Sequence, residues 1–524
     1  MAKKETKAMH WADQAAEQII KKKDKKEYVV ATGVTPSGTL HIGNFRELIT
    51  GDIIKRALID AGKKAVHYHY WDDYDVFRKV PANMPKPEIL KKYLRQALIY
   101  VPDVIDNKHK NYAYHNEKEI EELLPIVDVK PTILRHAERY MNCEYAKEMK
   151  IALENTDKIK EIFNKYRKEE LEESWLPISV YCEKCHLEAE KIKYEGMCDV
   201  SYECSCGDNQ TFDISKKGLA KLKWRVQWPA WWNNKDVDFE SAGKDHFAAG
   251  SGIDTGREVQ RKIYKTEPPI GFGFGWIGVK GGKQFSSSAG VIFTLKDVLD
   301  VYEPAIVRYI FASSRPSYEF AISFDLDVLK VYEDFDKCER IYHMQEEVDE
   351  KEFEKQKRIY ELSYIGKPPK DIPFQPVFRH LTNVLQTFEK DLNKTTEFFK
   401  NELKTSDDKK RFETRLKCVL NWLEHYAPDD FKFTVQKQVH SGIELSDEQK
   451  QALHKVAELL KKDFKNDTEL HEAMYKISQD VGLNAKDFFK GAYLVLVNKE
   501  KGPRLASFIL TIGKDKVSKL FANV

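Results

Sequence analysis

Tyr28-Val29-Val30-Ala31-Thr32-Gly33-Val34-Thr35-Pro36-Ser37-Gly38-Thr39-Leu40-His41-Ile42-Gly43-Asn44 is the stretch on which the fold turns. Its first five residues are largely β-branched and apolar, as a strand buried on both faces of a parallel sheet must be. Pro36-Ser37-Gly38 breaks that run with a tight turn. From residue 42 the apolar positions Leu48, Ile49, Ile53, Ile54 and Leu58 recur at helical spacing, and Ala65-Val66-His67-Tyr68-His69-Tyr70 reads as a second strand. Strand, helix and strand at this spacing make a βαβ unit, the start of a doubly wound sheet. The expected fold class is α/β: a Rossmann-like doubly wound parallel sheet, interrupted by a zinc-bearing insertion and followed by an all-α carboxy-terminal region.

Outward from that unit, residues 9–22 read as an amphipathic helix and Lys21-Lys22-Lys23-Asp24-Lys25-Lys26 as a solvated linker face. Residues 85 to about 220 abandon the strand–helix rhythm for helical and cysteine-bearing segments. Strand-like runs resume near Asp245-His246-Phe247 and Gly275-Trp276-Ile277-Gly278-Val279, and from about residue 328 the pattern is almost wholly helical. The layout expected is a first half of the sheet domain at 1–100, an insertion at 101–218 and the second half at 219–282. A loop and stem-contact region at 283–345 and a helical domain at 346–524 complete it.

A chain of 524 residues exceeds one ordinary core and predicts three or four domains. Its 42% hydrophobic content supports real cores, while a net charge of +2 gives no bulk attraction for nucleic acid, which must come from local basic faces. The start resembles no signal peptide and no long apolar run is present, so a cytoplasmic protein without a membrane span is expected. Five of the eight cysteines, Cys182, Cys185, Cys198, Cys204 and Cys206, fall in one segment. Cys182-x-x-Cys185 and Cys204-x-Cys206 suit a tetrahedral structural Zn2+, with Cys198 as a substitute for the shorter second pair.

The turn after the first strand of an open parallel sheet is where it binds a ligand. Gly38 lets a nucleotide approach the backbone, and a helix N-terminus favours phosphate. His41 and Asn44, three residues apart on one helical face, can both donate hydrogen bonds to a phosphate that gains charge during displacement. Pro36, Ser37, Gly38, His41, Gly43 and Asn44 are therefore the candidate ATP-binding residues.

These residues resemble the HIGH signature of class I aminoacyl-tRNA synthetases, with Asn44 in the final place. The wider run from Ala31 through Arg46-Glu47 resembles the class I lysyl-tRNA synthetases of archaea and some bacteria. Three further segments carry that resemblance: Trp71 to Pro81, Lys223 to Pro229, and Gly243-Lys244-Asp245-His246 with Asp254-Thr255-Gly256. Lys283-Gln284-Phe285-Ser286-Ser287-Ser288-Ala289-Gly290 resembles the KMSKS loop, whose lysines neutralise departing pyrophosphate. It departs from the pattern: Gln284 stands in the first lysine's place, unless Lys283 serves, and Ala289 replaces the second. Catalytic roles are thereby implied for His41, Asn44, Lys283, Ser286, Ser287 and Ser288, and lysine-binding roles for Gly33, Thr35, Trp224 and His246. Asp72 is added as the acid for the α-ammonium. Phe274 and Gly275 occupy the place of the family's Tyr-Glu pair, so a hydroxyl and an acid are missing from the pocket edge. Asp103, His109 and His115 resemble a further zinc site of the family. The segment from Phe488 to Ile509 resembles its anticodon-reading helical cage.

The resemblance implies a monomeric enzyme that activates L-lysine with ATP and Mg2+ and transfers it to the terminal adenosine of tRNA(Lys), activation itself requiring bound tRNA. Two alternatives stand beside it. Gln284, Ala289 and the Gly-rich 271–275 suit a non-catalytic paralogue that binds tRNA or nucleotide. A glutamyl-type synthetase would need an arginine for its substrate's carboxylate.

Overall fold

The computed structural model describes residues 9–280 and 292–524. Helix α1 (Trp11–Lys22) begins at His10, whose ring nitrogen accepts the Ala12 amide at 3.2 Å. Strand β1 (Glu27–Val34) is buried along almost its whole length, as its β-branched run predicts. Helix α2 (Ile42–Asp60) follows the turn and ends ahead of Gly62, whose φ of +77° is cheapest for a residue without a side chain. Strand β2 (Lys64–Trp71) then pairs in parallel with β1 in register from Glu27↔Lys64 to Val34↔Trp71.

β3 (Thr132–Arg135) joins β2 in parallel, and the short strand Phe239–Glu240 joins the other edge of β1. The sheet order is thus β3-β2-β1-(239–240). The strand order reverses at β1, so the crevice at its carboxyl end is the ligand position such sheets offer. Parallel pairs Ala242–Gly243 with Gly273–Phe274 and Ile277–Lys280 with Phe320–Ser323 carry the pattern further.

The strand expected at Asp245-His246-Phe247 is instead a turn, Lys244–Phe247, and the extended segment ends before it, at Gly243. The reason is local. The Ser251 hydroxyl donates to the carbonyls of His246 and Ala248, and the Ala248 amide bonds back to Asp245. The backbone groups there are satisfied without a neighbouring strand.

Residues 72–238 hold short helices and a three-stranded antiparallel sheet (Lys191–Gly196, Asp199–Glu203, Asn209–Asp213). From Asp327 the elements are helices. Those up to Tyr426 share the apolar core of the sheet's α1–α2 face, whereas Val435 to Phe521 form a core of their own. The first group is clamped by buried Arg415, whose guanidinium meets Glu303 at 2.5 Å and Asp336 at 2.8 Å. Among the described residues no helix is long and apolar enough to cross a membrane.

Candidate active site

The turn between β1 and α2 is held from outside the sheet. The Ser37 amide returns to the Thr35 carbonyl at 2.9 Å, Tyr112 Oη donates to the Ser37 carbonyl at 2.9 Å, and Asn116 Nδ2 donates to the Pro36 carbonyl at 3.3 Å. Tyr112 and Asn116 belong to the helix Tyr112–Glu121 of the intervening segment, and no pattern in the sequence singled them out. A Cβ on Gly38 would stand 3.1 Å from Pro81, so a glycine keeps this turn close to the following loop.

His41 is the N-cap of α2, and its amide donates to Asn44 Oδ1 at 3.0 Å. The two expected phosphate ligands are thereby fixed relative to each other, at the positive end of a 19-residue helix. Burial lowers the His41 pKa, so the imidazole is neutral at neutral pH and offers one N–H. Gly43 lies under the ring: a Cβ there would meet His41 Cε1 and Nδ1 at 2.7 Å. Lys283, Ser286, Ser287 and Ser288, with Gln284 and Ala289, lie outside the described residues.

The expected lysine pocket is lined by aromatic rings. Gly33, near the end of β1, is packed so closely that a Cβ would touch Trp231 at 3.0 Å. Trp231 sits one helical turn from Trp228, whose ring meets His246 edge-on at 5.1 Å. Trp224 completes the set at 6.0 Å from both Trp228 and His246, with 43% of its surface open to solvent. Gly252 allows this approach, since a Cβ there would lie 2.6 Å from Trp224. Gly33, Trp224 and His246 are thus joined by one chain of ring contacts, and Thr35 lies two residues past Gly33 at the same crevice.

Beneath the rings lies an acid that sequence reasoning missed. Glu240, 2% exposed, accepts indole N–H bonds from Trp228 at 2.7 Å, from Trp231 at 2.8 Å and from Trp232. Burial pushes its carboxyl up to about 7 against the pull of those three donors. The signal was legible in principle: tryptophans at positions 228, 231 and 232 of one helix put three donors on one side. Asp72, expected to take the α-ammonium, is buried and faces Lys221 Nζ at 3.3 Å, which also lies 3.3 Å from Asp75. The structure gives that carboxylate a counter-ion from within the chain.

The sulfurs of Cys182, Cys185, Cys204 and Cys206 all lie within 4.8 Å of one another, with Cys182 to Cys206 at 3.6 Å and Cys185 to Cys204 at 3.5 Å. The one-residue gap of the second pair is absorbed by a turn in which Gly207 takes a φ of +86°. Cys198 is not in the group. In the other histidine constellation the converging atoms belong to Asp106, His109 and His115, not to the expected Asp103. Asp103 spends its carboxylate on the amides of Ile105 at 3.0 Å and His109 at 3.1 Å, while its Oδ2 lies 3.3 Å from His115 Nδ1.

A family model described as tRNA synthetases class I (K) matches residues 9–366. A lysine–tRNA ligase of Borreliella burgdorferi is 44% identical over 98% of this chain and 99% of its own. One of Treponema pallidum is 41% identical, again over 98% and 99%. One of Thermococcus kodakarensis is 41% identical over the same shares.

Proposed function

The chain belongs to the class I (K) tRNA synthetases, and from that premise we propose how its residues divide the reaction of a lysine–tRNA ligase. The observation that carries the function is identity that runs end to end with ligases of that one specificity, helical carboxy-terminus included. A lysine carboxylate oxygen attacks the α-phosphate of ATP and pyrophosphate leaves. A ribose hydroxyl of the terminal adenosine of tRNA(Lys) then attacks the adenylate carbonyl and AMP leaves. Neither step needs a protein nucleophile, so orientation and charge stabilisation supply the catalysis.

His41 and Asn44 hold the phosphates at the N-terminus of α2, over the turn of Pro36, Ser37, Gly38 and Gly43, with Mg2+ carried by ATP. Lys283 and Ser286 to Ser288 complete the phosphate ligands. Gly33, Thr35, Trp224 and His246 take lysine, and the Asp72–Lys221 pair forms a polar edge of that pocket. Zn2+ fits the four thiols, because sulfurs about 2.3 Å from a tetrahedral ion stand about 3.8 Å apart, close to the 3.5–3.6 Å found. Its contribution there is structural. Asp106, His109 and His115 are candidates for a second ion.

For tRNA, a cavity of about 610 Å3 between the two groups of carboxy-terminal helices is the proposed anticodon site. Arg379, Lys501 and Arg504 bring charge and Phe433 and Phe508 bring stacking faces. The protein acts as a cytoplasmic monomer. Purified protein with lysine, ATP and tRNA(Lys) forms lysyl-tRNA. Absence of product with every amino acid sinks the enzyme, and charging with glutamate sinks lysine as its substrate.

A further inference from the structure

On the crevice edge of β1, the Val29 carbonyl accepts the Asp238 amide at 2.9 Å, and pairing continues only as far as Ala31↔Glu240. Four residues beyond Val29 and on the same edge, the Gly33 amide has no strand to meet. It donates instead to Glu47 Oε1 at 2.8 Å. Every buried amide needs an acceptor, but a neutral side chain would serve. A carboxylate brings a second oxygen and a full charge that this hydrogen bond does not use.

That charge is unbalanced. Among the described residues no lysine, arginine or histidine pairs with Glu47 or with Glu240, and the nearest charged influence on Glu47 is Glu240 itself. Two carboxylates without a cation, one half-buried and one fully buried, are costly to keep beside a pocket of indole rings. A cation that arrives with the substrate would balance both.

We infer that Glu47 is the residue that selects lysine by its side chain: its carboxylate receives the ε-ammonium, with Glu240 as a second negative charge behind it. The inference rests on the lysine-activating function proposed above. Its geometry follows from α2. Glu47 lies six residues below the cap His41, about 9 Å along the helix axis, and the reacting carboxylate must sit by the α-phosphate at that cap. An extended lysine with its four-carbon stem is built for this span. The pocket edge at 274–275 supplies no rival acid. A Cβ on Gly275 would stand 2.8 Å from the carbonyl carbon and oxygen of Tyr318, so no side chain fits there. The tryptophan faces around the site add attraction for a cation.

Burial pushes the Glu47 carboxyl well above its ordinary range, against the Gly33 hydrogen bond and with help from Glu240. Burial thus favours the protonated carboxyl, and an ammonium beside it favours the carboxylate. Any proton the carboxyl holds leaves to solvent on pairing.

The test is calorimetric titration of the intact protein, with tRNA present, by lysine and by norleucine, which is lysine without its ε-nitrogen. Wild type is expected to bind lysine at least about 30-fold more tightly than norleucine. Glu47→Gln keeps an oxygen for the Gly33 amide, and should bind lysine about 30-fold more weakly or worse while binding norleucine within threefold of wild type. Wild-type affinity for lysine in that variant, or equal losses for lysine and norleucine, overturns the inference. Should Glu47→Gln fail to fold, the wild-type comparison still decides, and lysine bound no more than threefold tighter than norleucine overturns it. Wild type that binds neither ligand, and charges no lysine, removes the parent function and this inference with it.

Discussion

Gly43→Ala is expected to abolish most catalysis while leaving the protein at least as stable. The glycine lies inside α2 with no positive φ, so alanine suits its backbone. That exchange stabilises by up to about 1 kcal/mol in a helix interior and by less in the first turn, where Gly43 stands. The cost falls on one side chain. The new methyl would stand 2.7 Å from two atoms of the His41 ring, where ordinary contact begins near 3.4 Å, so the imidazole must retreat by about 0.7 Å. Displacement on that scale at a group proposed to hold a phosphate costs roughly 10²-fold in rate. ATP–pyrophosphate exchange with tRNA present measures kcat and both KM values, and a thermal midpoint measures stability. The kcat should fall about 100-fold, with lysine KM unchanged and the midpoint equal or higher. His41→Ala supplies the control. If the methyl acts only by moving the ring, adding Gly43→Ala to His41→Ala costs nothing more. A further large loss in the double variant would mean that the methyl blocks the nucleotide itself, and would refute the argument. So would a single variant within threefold of wild type.

Three further outcomes follow from groups described above. Cys182→Ser or Cys206→Ser should lose one equivalent of zinc per chain by elemental analysis, and unchanged metal content rejects the four-thiol site. Lys221→Met should lower the thermal midpoint strongly, by about 3 kcal/mol of stability, because it leaves Asp72 and Asp75 facing each other without a cation. A variant as stable as wild type would show that the pair adds nothing. Glu240 holds its proton more tightly folded, at about 7, than its ordinary 4.5. Its contribution to stability is therefore complete below pH 4.5 and is lost as pH rises to about 7. Glu240→Gln should flatten the fall of the thermal midpoint between pH 5 and 8 relative to wild type, and parallel curves refute the assignment.

Much of this fold could be read without coordinates, because its signals are local. A β-branched run, a Pro-Ser-Gly turn and a 3.6-residue apolar repeat are each decided by near neighbours, and β1, α2 and β2 lie where those patterns put them. The Asp245-His246-Phe247 run failed because its backbone is satisfied by the hydroxyl of Ser251, a contact that hydrophobic periodicity does not encode. The same division runs through the site. His41, Asn44 and the cysteine pairs announce themselves by spacing. Tyr112 reaches Ser37 across 75 residues, and Lys221 reaches Asp72 across 149. No window along the chain could have paired them. Asp103 and Asp106 illustrate a finer limit. Both acids are at plausible ligand spacing and both lie 3.3 Å from His115 Nδ1, but Asp103 is held by two backbone amides and Asp106 by one, which spacing along the chain does not encode.

The departure at 274–275 shows how a backbone can take over a position that a side chain usually fills. Arg46, directly before Glu47, is buried, and among the described residues no acid forms an ion pair with it, although the charge of Glu319 acts on it from further off. Its guanidinium donates to the carbonyls of Gly275, of Pro316 at 2.8 Å and of Tyr318 at 3.1 Å, and lies over the rings of Phe274 and Phe320 at 5.5 and 5.0 Å. Burial lowers it to about 10, and the three carbonyl dipoles still suit a cation. Through Arg46, the first turns of α2 and the strand Gly273–Phe274 form one unit, so the end of the helix proposed to bind phosphate is positioned by the segment that lacks the expected acid. A side chain at 275 would collide with Tyr318 and open this clamp. The glycine is thus required by the packing of Arg46, and the acid the pocket still needs must come from elsewhere. The adjoining residue of the same helix, Glu47, is placed to supply it.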